Sequence, residues 1–196
     1  VTVTLNGVDY TTIVDASGNW SVTIPAADLS AIGDGSYTVS AAVSDKAGNP
    51  ASTVRDVLVD ITVPQLSINT VSGDDVINST EHGQALIVSG SATGAAAGDV
   101  VTVTINDKSY TATLDAAGNW SVGVPASVIS ALQNGTVTVN ASVTDAAGNT
   151  GSGTHTVTVD TGLPSVVFDT LSGDNVLNAV EKGQDLSVSG TSANLA

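Results

Sequence analysis

The sequence predicts an all-β chain of tandem β-sandwich repeats. Three observations carry this. Motifs recur at a fixed offset of 100 residues, Val and Thr alternate with period two, and turn-forming residues punctuate the alternation at short intervals. Asp15-Ala16-Ser17-Gly18-Asn19-Trp20-Ser21-Val22 returns as Asp115-Ala116-Ala117-Gly118-Asn119-Trp120-Ser121-Val122, and Asp45-Lys46-Ala47-Gly48-Asn49 returns as Asp145-Ala146-Ala147-Gly148-Asn149. Ser72-Gly73-Asp74-Asp75-Val76-Ile77-Asn78 returns as Ser172-Gly173-Asp174-Asn175-Val176-Leu177-Asn178, and Asp60…Pro64 as Asp160…Pro164.

Within one period the alternation predicts seven strands. The first is about Gln65–Val71 and the second about Ala85–Ser91. The third is Val100–Asn106, with Val101, Val103 and Ile105 on one face and Thr102 and Thr104 on the other. The fourth is Ser109–Leu114. The fifth, Asn119–Pro125, turns Trp120, Val122 and Val124 inward. The sixth, Thr136–Asp145, does the same with Val137, Val139, Ala141 and Val143, and the seventh is Gly153–Asp160. Ala126–Gln133 is the one stretch suited to a helical turn. Seven short strands in about 100 residues is the count and size of an immunoglobulin-type sandwich, so the fold class is all-β, tandem immunoglobulin-like seven-strand β-sandwich repeats. One Trp per repeat in a strand, Trp20 and Trp120, reads as a core plug. In this register residues 1–60 are a partial repeat carrying the third to seventh strands, 61–160 a complete repeat, and 161–196 the first two strands of the next. The chain thus reads as a window on a longer array.

Composition narrows the function. The chain has 196 residues, 19 acidic and 4 basic (Lys+Arg), a formal net charge of −15, and only 12% charged residues. Such a surface repels nucleic-acid phosphates and anionic membranes and suits divalent cations. No apolar run approaches the roughly 18 residues of a membrane span, and no signal peptide is present. There is no Cys, which excludes disulfides and thiolate chemistry. Disorder is excluded by a 41% hydrophobic content in regular alternation.

In a sandwich of this kind the connections alternate between two poles. The first-to-second-strand loop holds Asp74, Asp75, Asn78 and Glu81, and the last strand ends at Asp160, all at one pole. Asp99, Asp115 and Asp145 lie in loops at the other pole. Consecutive repeats meet at these poles across linkers of a few residues, 60–64 and 160–164, so two acidic ends face each other. Ca²⁺, which takes six to eight oxygen ligands, is the cation that would bridge them. The metal-ligand candidates are Asp60, Asp74, Asp75, Glu81, Asp99, Asp145, Asp160, Asp174 and Glu181. Against this stands a plainer reading for the Asp-x-x-Gly-Asn segments, in which Asp and Asn simply build the turn.

No nucleophile motif, phosphate loop or pair of catalytic acids stands out, and the chain does not read as an enzyme. His82 and His155 are not at equivalent repeat positions. Lys46, Lys108 and Lys182 fall in turns. Outward Thr-x-Thr runs are ordinary on a half-buried sheet and are preferred to a flat ice-binding array.

These motifs together resemble bacterial Ig-like repeats of giant biofilm-associated proteins and large repetitive adhesins of Gram-negative bacteria. The residues that carry the resemblance are Val1-Thr2-Val3-Thr4-Leu5-Asn6-Gly7, Gly-Asn-Trp-Ser-Val, Asp-x-Ala-Gly-Asn, Asp-x-x-x-Pro and Ser-Gly-Asp-Asp-Val-Ile-Asn-x-x-Glu. The resemblance implies a secreted or cell-surface extender (stalk) that supports adhesion and biofilm formation, with Ca²⁺ at the repeat junctions. The linker acids of the family map onto Asp60 and Asp160, and its loop acids onto Asp74, Asp75 and Glu81, then Asp174 and Glu181. Asn175 replaces the acid found at position 75. Partners are then neighbouring repeats of the same chain, with a host or matrix surface reached through other regions. The alternative is that the repeats bind a receptor, a glycan or each other directly, including filament formation in which residues 164–196 of one chain complete residues 1–60 of another.

Overall fold

A computed structural model describes residues 1–195. The first unit contains β1 (Thr2–Leu5), β2 (Val8–Thr11), a single helical turn α1 (Ala26–Leu29), β3 (Gly35–Ser44) and β4 (Pro50–Val59). Its strands form one antiparallel sheet in the order β2-β1-β3-β4. Asn6 and Gly7, both at positive φ, make the tight turn between β1 and β2, and Asn106 and Asp107 repeat it one period on. Two consecutive left-handed residues give the turn whose twist matches a two-residue hairpin.

The second unit is a two-sheet sandwich. Its elements are β5 (Gln65–Ile68), β6 (Val76–Asn78), β7 (Leu86–Thr93), β8 (Val100–Ile105), β9 (Lys108–Thr113), β10 (Asn119–Val124), the turn α2 (Ala126–Ile129), β11 (Gly135–Thr144) and β12 (Thr150–Asp160). One sheet runs β10-β7-β5 and the other β6-β12-β11-β8-β9. Beyond it, β13 (Ser165–Phe168) pairs with β14 (Gly190–Ala193), as β5 pairs with β7 one period earlier.

The predicted inward residues form the core. Val101, Val103, Ile105, Val139, Ala141, Val143, Val157 and Val159 from the five-stranded sheet meet Val88, Trp120 and Val124 from the other. Burying a Val or Leu side chain fully stabilises by about 1.5–3 kcal/mol, and Ile129 and Leu132, in and just after α2, join the same core. The first predicted strand differs from expectation. It ends at Ile68, and after a bend at Ser72, Gly73 and Asp75, all at positive φ, the chain crosses to the other sheet as β6. There it runs parallel to β12, with Val76 opposite Thr158 and Asn78 opposite Asp160. An unbroken strand through Val71 would serve only one sheet; the bend lets one segment edge both.

The two tryptophans part company. Trp120 is 3% exposed, laid against Gly90 of β7, whereas Trp20 is 44% exposed. The expectation of a core plug holds for Trp120; the strand position one period before β7 falls outside the 196 residues, so Trp20 does not test it.

Candidate functional site at the repeat junctions

The topology sorts the acids by pole. The parallel register of β6 on β12 places the 74–81 loop beside the end of β12, so Asp74, Asp75, Glu81 and Asp160 share one pole. The opposite pole holds Asp99, Asp115 and Asp145. The end of β11 pairs with the start of β8 there, and Asp99 accepts a hydrogen bond from Leu114 N–H through its main-chain carbonyl.

Most of these carboxylates commit one oxygen to their own loop. Asp60, Asp74, Asp160 and Asp174 each accept the amide two residues on through Oδ1: Thr62 at 3.1 Å, Val76 at 3.0 Å, Gly162 at 2.9 Å and Val176 at 2.9 Å. Asp99 accepts Ala96 N–H through Oδ2 at 2.7 Å. Glu81 and Glu181 accept the amides of Asn78 and Asn178 through Oε2, and each Asn side chain accepts the Glu amide in return. This is a reciprocal cap on a short 3-10 turn.

Asp145 is committed at both oxygens. Oδ1 accepts Ala147 N–H and Asn149 N–H at 2.9 Å each, and Oδ2 accepts Asn149 Nδ2 at 3.0 Å. These bonds, the Asn149 side-chain amide first, hold its carboxyl below the usual carboxylate range. The turns at Asp15, Asp45 and Asp115 have the same internal bonds. At these four positions turn formation accounts for the residue pattern by itself.

Asp75 is different again. Its Oδ1 accepts Val71 N–H at 2.8 Å and lies 2.7 Å from His155 Nε2 on β12. The histidine contact is the leading cause of its lowered pKa. Asn175 makes the equivalent bond to Leu171 N–H at 2.9 Å, also at positive φ. Asp75→Asn keeps an acceptor for the Val71 amide but gives up the charge facing His155, so it should lower the melting temperature only modestly. Asp75→Ala should lower it, because Ala neither accepts the Val71 amide nor tolerates φ > 0; thermal denaturation of the two variants side by side tests this.

Among the described residues no group of three or more His, Asp or Glu side chains is placed to hold a metal ion. Carboxylate oxygens are the donor type that a hard cation takes. At Asp60, Asp74, Asp99 and Asp160 one carboxylate oxygen stays outside these hydrogen bonds.

Sequence reasoning passed over the residues that touch the linkers. Asp34, in the loop before β3, accepts Ile61 N–H through Oδ1 at 2.6 Å and the Thr62 hydroxyl through Oδ2. Asn134, its counterpart one period on, accepts Thr161 N–H at 3.2 Å and the Thr161 hydroxyl at 2.8 Å. From the following unit, Asn149 Nδ2 donates to the Asp60 carbonyl at 3.1 Å, and Asn194 Nδ2 donates to the Leu163 carbonyl at 2.9 Å. The available signal was the recurrence of Asp34-Gly35 as Asn134-Gly135 at the repeat offset.

The Thr62 hydroxyl, then the Ile61 amide, lower the pKa of Asp34. A depressed carboxylate contributes stability that is present above its unfolded value and is lost as pH falls through its folded one. Acidification below the usual carboxylate range should thus release Ile61 from Asp34 while Thr161 stays on the neutral Asn134. Amide chemical shifts of Ile61 and Thr161 followed through an acid titration report the two separately.

The geometry describes a class, tandem sandwich repeats joined end to end by short linkers held in place by side chains. The family follows from comparison: the bacterial Ig-like domain matches residues 1–61 and 62–161, and the chain belongs to that family. Among solved structures it is similar to one on the host cell surface retention of a 1.5-MDa bacterial ice-binding adhesin, with 35% identity over 98% of this chain and 63% of that one and a TM-score of 0.51. It is also similar to a Ca²⁺-stabilised adhesin with which an Antarctic bacterium reaches out and binds ice (39% identity, 98% of this chain, 48% of that one, TM-score 0.48). A bacterial immunoglobulin-like domain of the M. primoryensis ice-binding adhesin is 43% identical over 50% of this chain and 99% of its own length, with a TM-score of 0.43. The chain spans about half of one of the two longer structures and under two thirds of the other. No curated protein sequence matches it.

Proposed function

We propose that this chain is part of the extender region of a bacterial cell-surface adhesin, a non-catalytic rod that holds an adhesive region away from the cell. The observation that carries this reading is the end-to-end joining of two units through a linker bonded to both of them. The 35% identity to the large adhesin adds support. A ten-residue strand such as β11 spans about 33 Å, so every added repeat lengthens the rod by roughly that much. The burial of Trp120 speaks against direct glycan binding on the second unit, because its aromatic face is inside the sandwich.

We further propose that Ca²⁺ stiffens the junctions. A net charge of −15 on 196 residues, with acids gathered at both poles, sets up a repulsion between facing repeats that a bound counter-ion would relieve. Asp60 and Asp99 are the proposed ligands at the first junction. Asp160, Asp74, Asp75 and Glu81 are those at the second, with Asp174 and Glu181 repeating the loop set. Asp145 is the weakest member, since both its oxygens serve its own turn. A ligand that binds only the folded form raises its stability by mass action, about 2.7 kcal/mol at one hundred times the dissociation constant. Melting should therefore rise with added calcium and fall with EDTA, and Asp60→Ala combined with Asp160→Ala should abolish most of that response. Melting curves that superpose with and without calcium would remove the calcium part and leave the extender reading standing.

A further inference from the structure

Both linkers are held from two sides, and the holds recur with different residues. Upstream, the acceptor is a carboxylate at one junction, Asp34, and a carboxamide at the next, Asn134. Each takes the first main-chain N–H after the linker Asp and the hydroxyl of a linker Thr. Downstream, side-chain amides from two loops reach a linker: Asn149, between β11 and β12, donates to the first and Asn194, after β14, to the second. The residue one period before Asn194 is Gly94, where a Cβ would lie 3.3 Å from Pro64 Cα and 3.4 Å from Thr62 Cγ2. There the linker packs on the loop directly.

We propose that these side chains form a two-sided clamp that fixes the path of each linker, and with it the angle between successive repeats, without any cation. The loop between β11 and β12 is then an interaction surface whose partner is the linker carbonyl of the preceding repeat, and Asn149 is its positioning residue. This deepens the extender reading and does not depend on calcium. The hydrogen bonds that Asn149 and Asn134 make to the linkers are between neutral groups, so salt that screens the acidic poles leaves them in place. Within the second unit Asn119 provides an internal control. It makes the same bonds to Asp115 that Asn149 makes to Asp145, and its side chain has no bond to a linker.

The test uses the whole chain, which has no Cys, with spin labels at Ala27→Cys in the first unit and Thr138→Cys in the second. Electron–electron distance distributions are recorded in EDTA. The parent should give one narrow distribution. Asn149→Ala and Asp34→Ala should each at least double its width, and Asn119→Ala should leave it unchanged. The clamp is overturned if the parent is already broad in EDTA, if Asn149→Ala and Asp34→Ala both match the parent, or if Asn119→Ala broadens it as much as Asn149→Ala does. Adding calcium separates the two ideas. A parent that is narrow in EDTA and indifferent to calcium keeps the clamp and removes stiffening by the metal; a parent that narrows only with calcium does the reverse.

Discussion

Replacing Gly90 with Val is expected to destabilise the second unit severely. Gly90 sits in β7 between β10 and β5, opposite Trp120 on one side and Ile68 on the other. A Cβ at this position would press into the Ser67 carbonyl and lie 2.5 Å from Trp120 Cζ2 and 2.8 Å from its Cε2. The carbonyl belongs to a paired strand and the indole to the core, so neither can withdraw without breaking other contacts. Forcing added volume into a packed core typically costs about 1–3 kcal/mol, and the clash with backbone puts this variant at or beyond the top of that range. For a domain of this size each kcal/mol lowers Tm by roughly 4–8 °C. Gly123, in the neighbouring strand β10, has nothing within 4 Å of its would-be Cβ. Gly123→Ala should leave Tm unchanged or raise it slightly, and a thermal melt of the pair separates packing at Gly90 from a general cost of side chains in this sheet.

Trp120→Ala is expected to cost about 3–5 kcal/mol, the range for emptying a buried aromatic site. Trp20→Ala should cost far less, since almost half of that side chain is already in contact with solvent. The two residues occupy the same motif, so sequence alone assigns them equal weight. The chain has only two tryptophans; Trp20→Phe leaves Trp120 as the sole tryptophan reporter of the second unit, and Trp120→Phe leaves Trp20 for the first. Denaturation followed by fluorescence in these backgrounds tests whether the sandwich loses its cooperativity only when the buried ring is removed.

This contrast marks how far the sequence could be read. Period-two alternation at positions 101–105 and 137–143 named the core, because a half-buried strand must alternate. Asn6-Gly7 and the Asp-x-x-Gly-Asn segments named the turns, because few residues accept positive φ. The sheet switch between Val71 and Val76 was not legible. It depends on a parallel pairing with β12, some 80 residues away, and on His155 meeting Asp75. The poles could be inferred from strand alternation, so the placement of Asp74, Asp99 and Asp160 was within reach. The linker contacts were not, since Asn149 looks like any other member of its motif until its second hydrogen bond, to Asp60, is seen.

A rod requires that successive repeats stand end to end at a set angle. Small-angle scattering of the whole chain in calcium, repeated at several salt concentrations, addresses it most directly. A held junction predicts an extended profile whose maximum dimension does not vary with salt. A compact particle, or the broad profile of two freely jointed units, would contradict it.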